Sequence, residues 1–304
     1  MTGQLFKSCV SASIFWLAPG AGTVMAADSA AWSAVDDNGA TINLSAPARR
    51  VVSLSPGATA MLFAAGAVNQ VVGTAEFSYE PEAARRIPRI GDSQGYDLER
   101  VLALRPDVII TWSGGTNAAV LERLRRTGIP IYQHRVSTLA EIPAAITRLG
   151  QLIGTSTVAA QTAARLAARI DALQRRASSA SPAASSVLLQ VWDRPVYTVG
   201  GSQLMSDAIA ACGYHNAFGE LRDAGPALAL ESVLRRNPAV IIAIAPDPRQ
   251  AAEWLDHWRV FGALAAVRNH RLLALTDQRF SRLGPTVIDA TEALCQRLQD
   301  PGPP

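Results

Sequence analysis

The sequence predicts an α/β protein of two lobes, each carrying a parallel sheet, joined by one long bridging α-helix. Three observations predict it. Leu98–Ile110 (LERVLALRPDVII) and Leu230–Ile242 (LESVLRRNPAVII) match at eight of thirteen positions without a gap, 132 residues apart. Each copy reads as a short helix, a stop at proline and a buried strand. A helix–strand unit used twice at that separation implies two similar lobes, and clefts between lobes bind ligands. Strands alternate with helices throughout, the pattern of βαβ units and parallel sheets. Between the halves, residues 155–176 contain no Gly or Pro and place Leu166, Ile170 and Leu173 at helical spacing. That is a helix of roughly 30 Å at 1.5 Å per residue.

The elements follow in order. Residues 1–27 hold Lys7, an apolar run from Cys9 to Ala27 broken at Pro19-Gly20, and small residues at Ala26 and Ala27. This is the pattern of a secretory signal peptide, shorter than the ~20 uninterrupted apolar residues of a spanning helix. Residues 28–47 form a polar leader segment with a turn signal at Asp36-Asp-Asn-Gly39, read as a short hairpin or a loose leader. The first lobe spans 48–153. Arg50–Leu54 is a strand, Pro56-Gly57 a turn, and residues 58–65 a small apolar helix that Gly66 ends. Val71–Gly73 is a strand, and 74–96 is loop-rich, with Pro81, Pro88, Gly91 and Gly95. The first repeat gives a helix over 97–104 and a strand over 107–112. Gly114-Gly115 breaks the chain before a helix at 117–127, a strand at 130–133 and a helix at 138–153.

The bridging helix occupies 154–178, and a Ser/Pro linker fills 179–186. The second lobe, 187–300, repeats the pattern. Strands are expected at 187–192, 196–199, 239–244 and 271–275. Helices are expected at 203–211, 228–236, 249–257 and 285–299.

Composition narrows the function. The chain has 28 Lys and Arg against 25 Asp and Glu, a net charge of +3, and Lys7 is its one lysine. The arginines are scattered rather than gathered into a patch, which argues against nucleic acid as a partner. Cys9 lies inside the signal segment. Cys212 and Cys295 remain, and an even pair in an exported protein reads as a disulfide, with two buried thiols as the alternative. Such a bond would close a loop of about 80 residues, worth ~4 kcal/mol in the chain-entropy account. No His, Cys or carboxylate cluster at metal-ligand spacing occurs, so neither a metal site nor an intrinsic cofactor is expected. His134, His215, His257 and His270 are isolated.

Gly91-Asp-Ser-Gln-Gly95 matches the G-x-S-x-G nucleophile elbow, which requires a strand before the serine and a helix beginning at it. Pro88 cuts the preceding strand short and the next helix starts near Asp97, so a glycine-rich turn fits better than a serine hydrolase using Ser93. No catalytic residue is expected. Trp112-Ser-Gly-Gly-Thr-Asn117 ends a predicted parallel strand, the edge at which open α/β sheets bind ligands. Phe77 and Tyr79 follow a strand, and Trp192 and Tyr197 flank the turn at Asp193-Arg-Pro195. An aromatic-lined cleft with few charges suits a large, flat, partly apolar ligand.

At these residues the chain resembles the helical-backbone periplasmic binding proteins that feed cobalamin, iron-siderophore and haem ABC importers. The likeness runs from about Arg50 to Leu298. It is carried by Arg50–Thr59 (RVVSLSPGAT) and Leu98–Asp107, and it is strongest to the vitamin B12-binding members. The resemblance implies two Rossmann-like lobes on one helix and a periplasmic, monomeric protein. It also implies a cobalt corrinoid as transported ligand and an ABC importer permease as partner. It assigns ligand contacts to Phe77, Trp112, Gly114, Tyr197, Asp277 and Arg282, and the disulfide to Cys212 and Cys295. Importer-docking carboxylates would be Glu231 and, one helical turn beyond the family position at Ala118, Glu122. A second ligand-contacting tryptophan of the family would fall near Gly225, where there is none. A ferric siderophore or haem is the alternative ligand, with Tyr79, Tyr96 and His134 as candidate axial ligands for haem iron.

Overall fold

A computed structural model of the chain describes Thr2, residues 32–179 and residues 185–299. Apart from Thr2, the signal peptide expected at 1–27 lies outside the described residues, as does most of the Ser/Pro linker. The first lobe runs β1 Trp32–Val35, β2 Thr41–Leu44, β3 Val51–Ser53, α1 Pro56–Ala64, β4 Val71–Thr74, β5 Gly91–Asp92 and β6 Gly95–Tyr96. It continues with α2 Leu98–Ala103, β7 Val108–Trp112, α3 Ala118–Arg125, β8 Ile131–His134 and α4 Glu141–Ile153. The bridge is α5 Ser156–Ser179. The second lobe runs β9 Ser186–Gln190, β10 Val196–Tyr197, α6 Leu204–Ala210, β11 His215–Asn216, β12 Ala227–Leu228 and α7 Leu230–Arg236. It ends with β13 Val240–Ile244, α8 Pro248–Arg259, α9 Ala265–Arg268, β14 Leu272–Leu275 and α10 Val287–Gln299.

Each lobe has a four-stranded parallel sheet, ordered β4-β3-β7-β8 in the first and β11-β9-β13-β14 in the second. The sequence repeat accounts for the correspondence: its copies form α2 with β7 and α7 with β13, the third strand of each sheet. Val108–Ile110 and Val240–Ile242 are fully buried, because helices cover both faces of each sheet.

Pro56 and Gly57, expected as a turn, instead open α1. Ser55 caps the helix, its Oγ accepting from the Ala58 N–H at 3.1 Å. Proline suits the first helical position, where an N–H would lack an intrahelical acceptor. In the second lobe the strand expected over 196–199 contracts to β10. It pairs antiparallel with β12, whose residues take the start of the helix expected from 228. The edge strand β11 is too short to leave a periodic signal.

The turn at Asp36–Gly39 closes the β1–β2 hairpin. Trp32 Nε1 donates to the Gln151 carbonyl at 2.8 Å, and Ala34 and Ile42 bury against the first lobe. The bridging helix buries Ala159, Ala163, Leu166, Ile170 and Leu173, a stripe at spacings of three and four. Its first half lies on α4 so closely that a Cβ at Gly150 would stand 2.2 Å from the Ala159 methyl. Its second half meets α10, where Arg169 donates to Asp289 at 2.5 Å and Glu292 at 2.6 Å. Cys212 and Cys295 form a disulfide with Cα atoms 4.9 Å apart, tying the end of α6 to α10 across 83 residues of chain.

Candidate ligand-binding cleft

A cavity of about 160 Å³ opens between the lobes. The first lobe lines it with the ends of three parallel strands: Ser55 to Ala58 beyond β3, Trp112 at the end of β7, and His134 at the end of β8. The second lobe contributes the turn Ser281–Leu283 before α10. Backbone meets backbone here. A Cβ at Gly57 would lie 2.5 Å from the Arg282 carbonyl oxygen and 2.9 Å from that of Leu283, so only glycine permits the approach. Glu80 tightens the seam, 3.6 Å from Arg282 Nη1 and 3.4 Å from Thr286 Oγ1.

Trp112 folds back over its own turn. Cβ atoms at Gly114 and Gly115 would stand 3.2 Å and 2.0 Å from indole ring atoms. The two glycines are therefore the seat of the indole, and Gly114 is also exposed. The Trp112 N–H donates to Thr116 Oγ1 at 3.1 Å, which fixes the turn.

Behind Trp112 lies a buried polar network. His134 is 3% exposed, and its Nδ1 sits 2.7 Å from Asp37 Oδ2. Asp37 also accepts from the Tyr132 hydroxyl at 2.7 Å, the Arg135 N–H at 2.9 Å and the Arg148 guanidinium at 2.7 Å. Burial alone would raise the Asp37 carboxyl. The His134 contact and the Arg135 and Tyr132 hydrogen bonds outweigh it and hold its pKa near 2.

The structure brings Trp112 and Arg282 to one cavity. Phe77 stands apart from it, 58% exposed with φ of 63°, packed edge-on against Tyr79. Its loop reaches the cleft through Glu80. Tyr197 is half-buried in β10, held beside the exposed Trp192 by its own N–H bonded to the Trp192 carbonyl at 3.1 Å. Asp277 is engaged by Arg279 at 2.6 Å, and the hydrogen bonds from that arginine lower its pKa. Glu122 and Glu231 are exposed on α3 and α7, with Glu122 3.5 Å from Arg126. Gly225 is exposed in the loop before β12.

Tyr96 donates its hydroxyl to the Leu54 carbonyl at 2.7 Å, and burial pushes its pKa up to about 12. Ser93 is exposed at the tip of the β5–β6 hairpin, so no helix begins at it. Among the described residues no three His, Cys, Asp or Glu side chains converge as a metal site would require, and no helix is long and apolar enough to cross a membrane.

Sequence reasoning missed the Asp37–His134 pair, which joins residues 97 positions apart. Its only local signal was a second aspartate in a turn that needs one. Asp36 alone serves the turn, accepting from the Asn38 and Ala40 N–H groups. Arg279, the partner of Asp277, carries no sequence signal beyond lying two residues after it.

The chain as a whole is similar to known proteins. A family model described as periplasmic binding protein matches residues 51–279. A vitamin B12-binding protein of Yersinia pestis (strain Pestoides F) is 30% identical over 254 residues, 83% of this chain and 86% of the relative. The periplasmic vitamin B12-binding protein BtuF of Vibrio cholerae has a crystal structure that aligns with a TM-score of 0.75 at 30% identity. The alignment covers 83% of this chain and 97% of that one. The periplasmic haem-binding protein HutB of Vibrio cholerae shares the fold, with a TM-score of 0.70 at 21% identity over 83% and 99% of the two chains. With two parallel-sheet lobes on one helix, a cleft between them and a family match across three quarters of its length, the chain belongs to the periplasmic binding protein family.

Proposed function

We propose that this chain is exported to the periplasm, captures a cobalt corrinoid, cobalamin, in the inter-lobe cleft, and delivers it to the permease of an ABC importer without catalysing a reaction. The observation that carries the reading is Trp112. Its indole, seated on Gly114-Gly115 at the end of a parallel strand, offers a preset flat face at the cleft. A rigid aromatic surface suits a large conjugated ring, because little side-chain entropy is lost on stacking. The vitamin B12-binding relatives at 30% identity support the same ligand.

Phe77 and Tyr197 supply further aromatic surface in this reading, and Arg282 and Asp277 meet the polar rim of the corrin. Exposed Glu122 and Glu231 dock the loaded protein on importer cations, where charge-assisted contacts set register and on-rate. The bridging helix, packed on α4 and tied to α10 through Arg169, keeps the motion between lobes small.

A haem reading draws on Tyr79, which is 39% exposed with Arg85 and Arg89 5.9 and 5.5 Å from its ring centroid. A phenolate is an axial haem ligand and the guanidiniums suit carboxylates. Titration of the purified protein with cyanocobalamin, haemin and a ferric hydroxamate, followed by tryptophan fluorescence, separates the ligands. A saturable response to cyanocobalamin that weakens in Trp112→Ala is expected. Tight haemin binding with no cobalamin response would overturn the corrinoid reading.

A further inference from the structure

We infer that the inner cavity beneath Trp112 is a carboxamide subsite, in which His134 Nε2 accepts from the NH2 of one peripheral amide arm of the ligand while Gly57 N–H and Arg282 donate to its carbonyl. The inference rests on the corrinoid reading and names a subsite within it.

The size of the cavity comes first. At about 160 Å³ it is smaller than the ~300–1,000 Å³ of sites that enclose a whole ligand. A macrocycle does not enter it, but an arm of a few heavy atoms does.

Its polarity comes next. Asp37 is a buried carboxylate, an acceptor only, held ionised by His134, the Arg135 N–H and the Tyr132 hydroxyl and paired with Arg148. The imidazole nitrogen facing it, Nδ1 at 2.7 Å, therefore carries a proton. In the neutral ring that leaves the lone pair on Nε2, which makes no hydrogen bond among the described residues of a side chain that is 97% buried and lines the cavity. One acceptor is thus oriented by a carboxylate behind it, as in a carboxylate–histidine pair.

Two residues of the same lining carry donors. Gly57 occupies the second position of α1, where the helix supplies no acceptor, and its N–H meets none among the described residues. Arg282 lines the same cavity. It spends one N–H on Gln278 Oε1 at 2.7 Å and stands 3.6 Å from Glu80, leaving further donors of its five.

Nε2 and these donors share one cavity with the Arg282 and Leu283 carbonyl oxygens, and a primary amide, with two N–H protons and an accepting oxygen, complements such a mixed lining. A carboxylate in the same place would satisfy the donors but would meet Nε2 favourably only if the buried ring took up a second proton, a demand that a neutral amide does not make. A corrin edge bears primary amides, whereas a haem edge bears carboxylates, so the pocket discriminates between the two macrocycles by hydrogen-bond sense.

The test compares cyanocobalamin with its separated monocarboxylic acids, each with one peripheral amide hydrolysed, by isothermal titration of the full mature chain. In the wild-type protein one acid should bind about tenfold more weakly than the parent and the others about equally, since one unmatched polar contact costs roughly that factor. His134→Phe, which keeps a ring but removes the acceptor, should lower cyanocobalamin affinity about as much and abolish the discrimination. Asp37→Asn, whose amide can donate to Nδ1 and turn Nε2 into a donor, should shift the preference toward the acid. All acids binding wild type as tightly as the parent, or full discrimination persisting in His134→Phe, would overturn the subsite while leaving corrinoid binding intact. Failure of cyanocobalamin itself to bind would overturn the corrinoid reading and the subsite with it.

Discussion

Gly115→Ala is the most direct probe of the cleft. A Cβ built at residue 115 stands 2.0 Å from both Cε3 and Cζ3 of Trp112, whereas ordinary contact begins near 3.4 Å. The indole must therefore move by about 1.4 Å or abandon its place over the turn. Residue 115 has an unstrained backbone for an L-residue, so the effect is steric alone. The neighbouring Gly114→Ala is the control. Its Cβ meets Nε1 at 3.2 Å, which a shift of a few tenths of an ångström relieves. Displacing a stacking aromatic forfeits ~1.5 kcal/mol, roughly a tenfold loss of affinity. Overpacking could add ~1–3 kcal/mol of destabilisation, but Trp112 is only partly buried and the indole can swing outward. Isothermal titration with cyanocobalamin beside thermal melts measures both quantities. Gly115→Ala should bind about tenfold more weakly with a small change in Tm, and Gly114→Ala should resemble the wild type. Unchanged affinity in Gly115→Ala, or a larger loss in Gly114→Ala, would refute the assignment of Trp112 as the stacking face.

Other perturbations test the scaffold. Gly57→Ala drives a methyl into the Arg282 and Leu283 carbonyls at 2.5 and 2.9 Å, so chemical denaturation should show ~1–3 kcal/mol of lost stability; an unchanged midpoint would mean that the seam yields freely. Replacing both Cys212 and Cys295 by Ser should cost ~2–4 kcal/mol, visible as a lower Tm that reductant reproduces in the wild type. The Asp37 carboxyl titrates near 2 when folded against 3.8 in the unfolded chain, so the unfolded state binds the proton more readily. Its contribution, about 2 kcal/mol, is complete above the unfolded value and is lost as pH falls through 3 toward 2. Urea titrations between pH 6 and pH 2.5 should show that share of the acid sensitivity missing in Asp37→Asn, and an identical pH profile would exclude Asp37 as its source.

The parts of this protein legible in sequence are those written in short-range patterns. The Leu-Glu-x-Val-Leu…Pro-x-Val-Ile-Ile unit announced a helix and a buried strand because both periodicities fit within thirteen residues. Asp36-Asp-Asn-Gly39 announced its turn because aspartate and glycine suit tight turns. Pro56-Gly57 misled for the same reason, since the dipeptide also opens a helix when a serine precedes it. Glycines 114 and 115 are legible as a break in the chain, but what packs on them, the indole of Trp112, is not.

The sequence by itself determined the two lobes, the parallel sheets, the bridging helix and the strand ends where a ligand would sit, since each depends on residues close along the chain. Only the tertiary structure decided the chemistry inside the cleft. It set Gly57 against the backbone of Arg282 and Leu283, Glu80 beside Arg282 and Asp37 behind His134. These pairs are tens to hundreds of residues apart, and side-chain hydrogen bonds leave no periodic trace. Their geometry exists only once both sheets have formed and α1 and α10 have brought the lobes together. The duplicated scaffold is therefore readable in one dimension, whereas the asymmetric cleft between its copies is a product of packing.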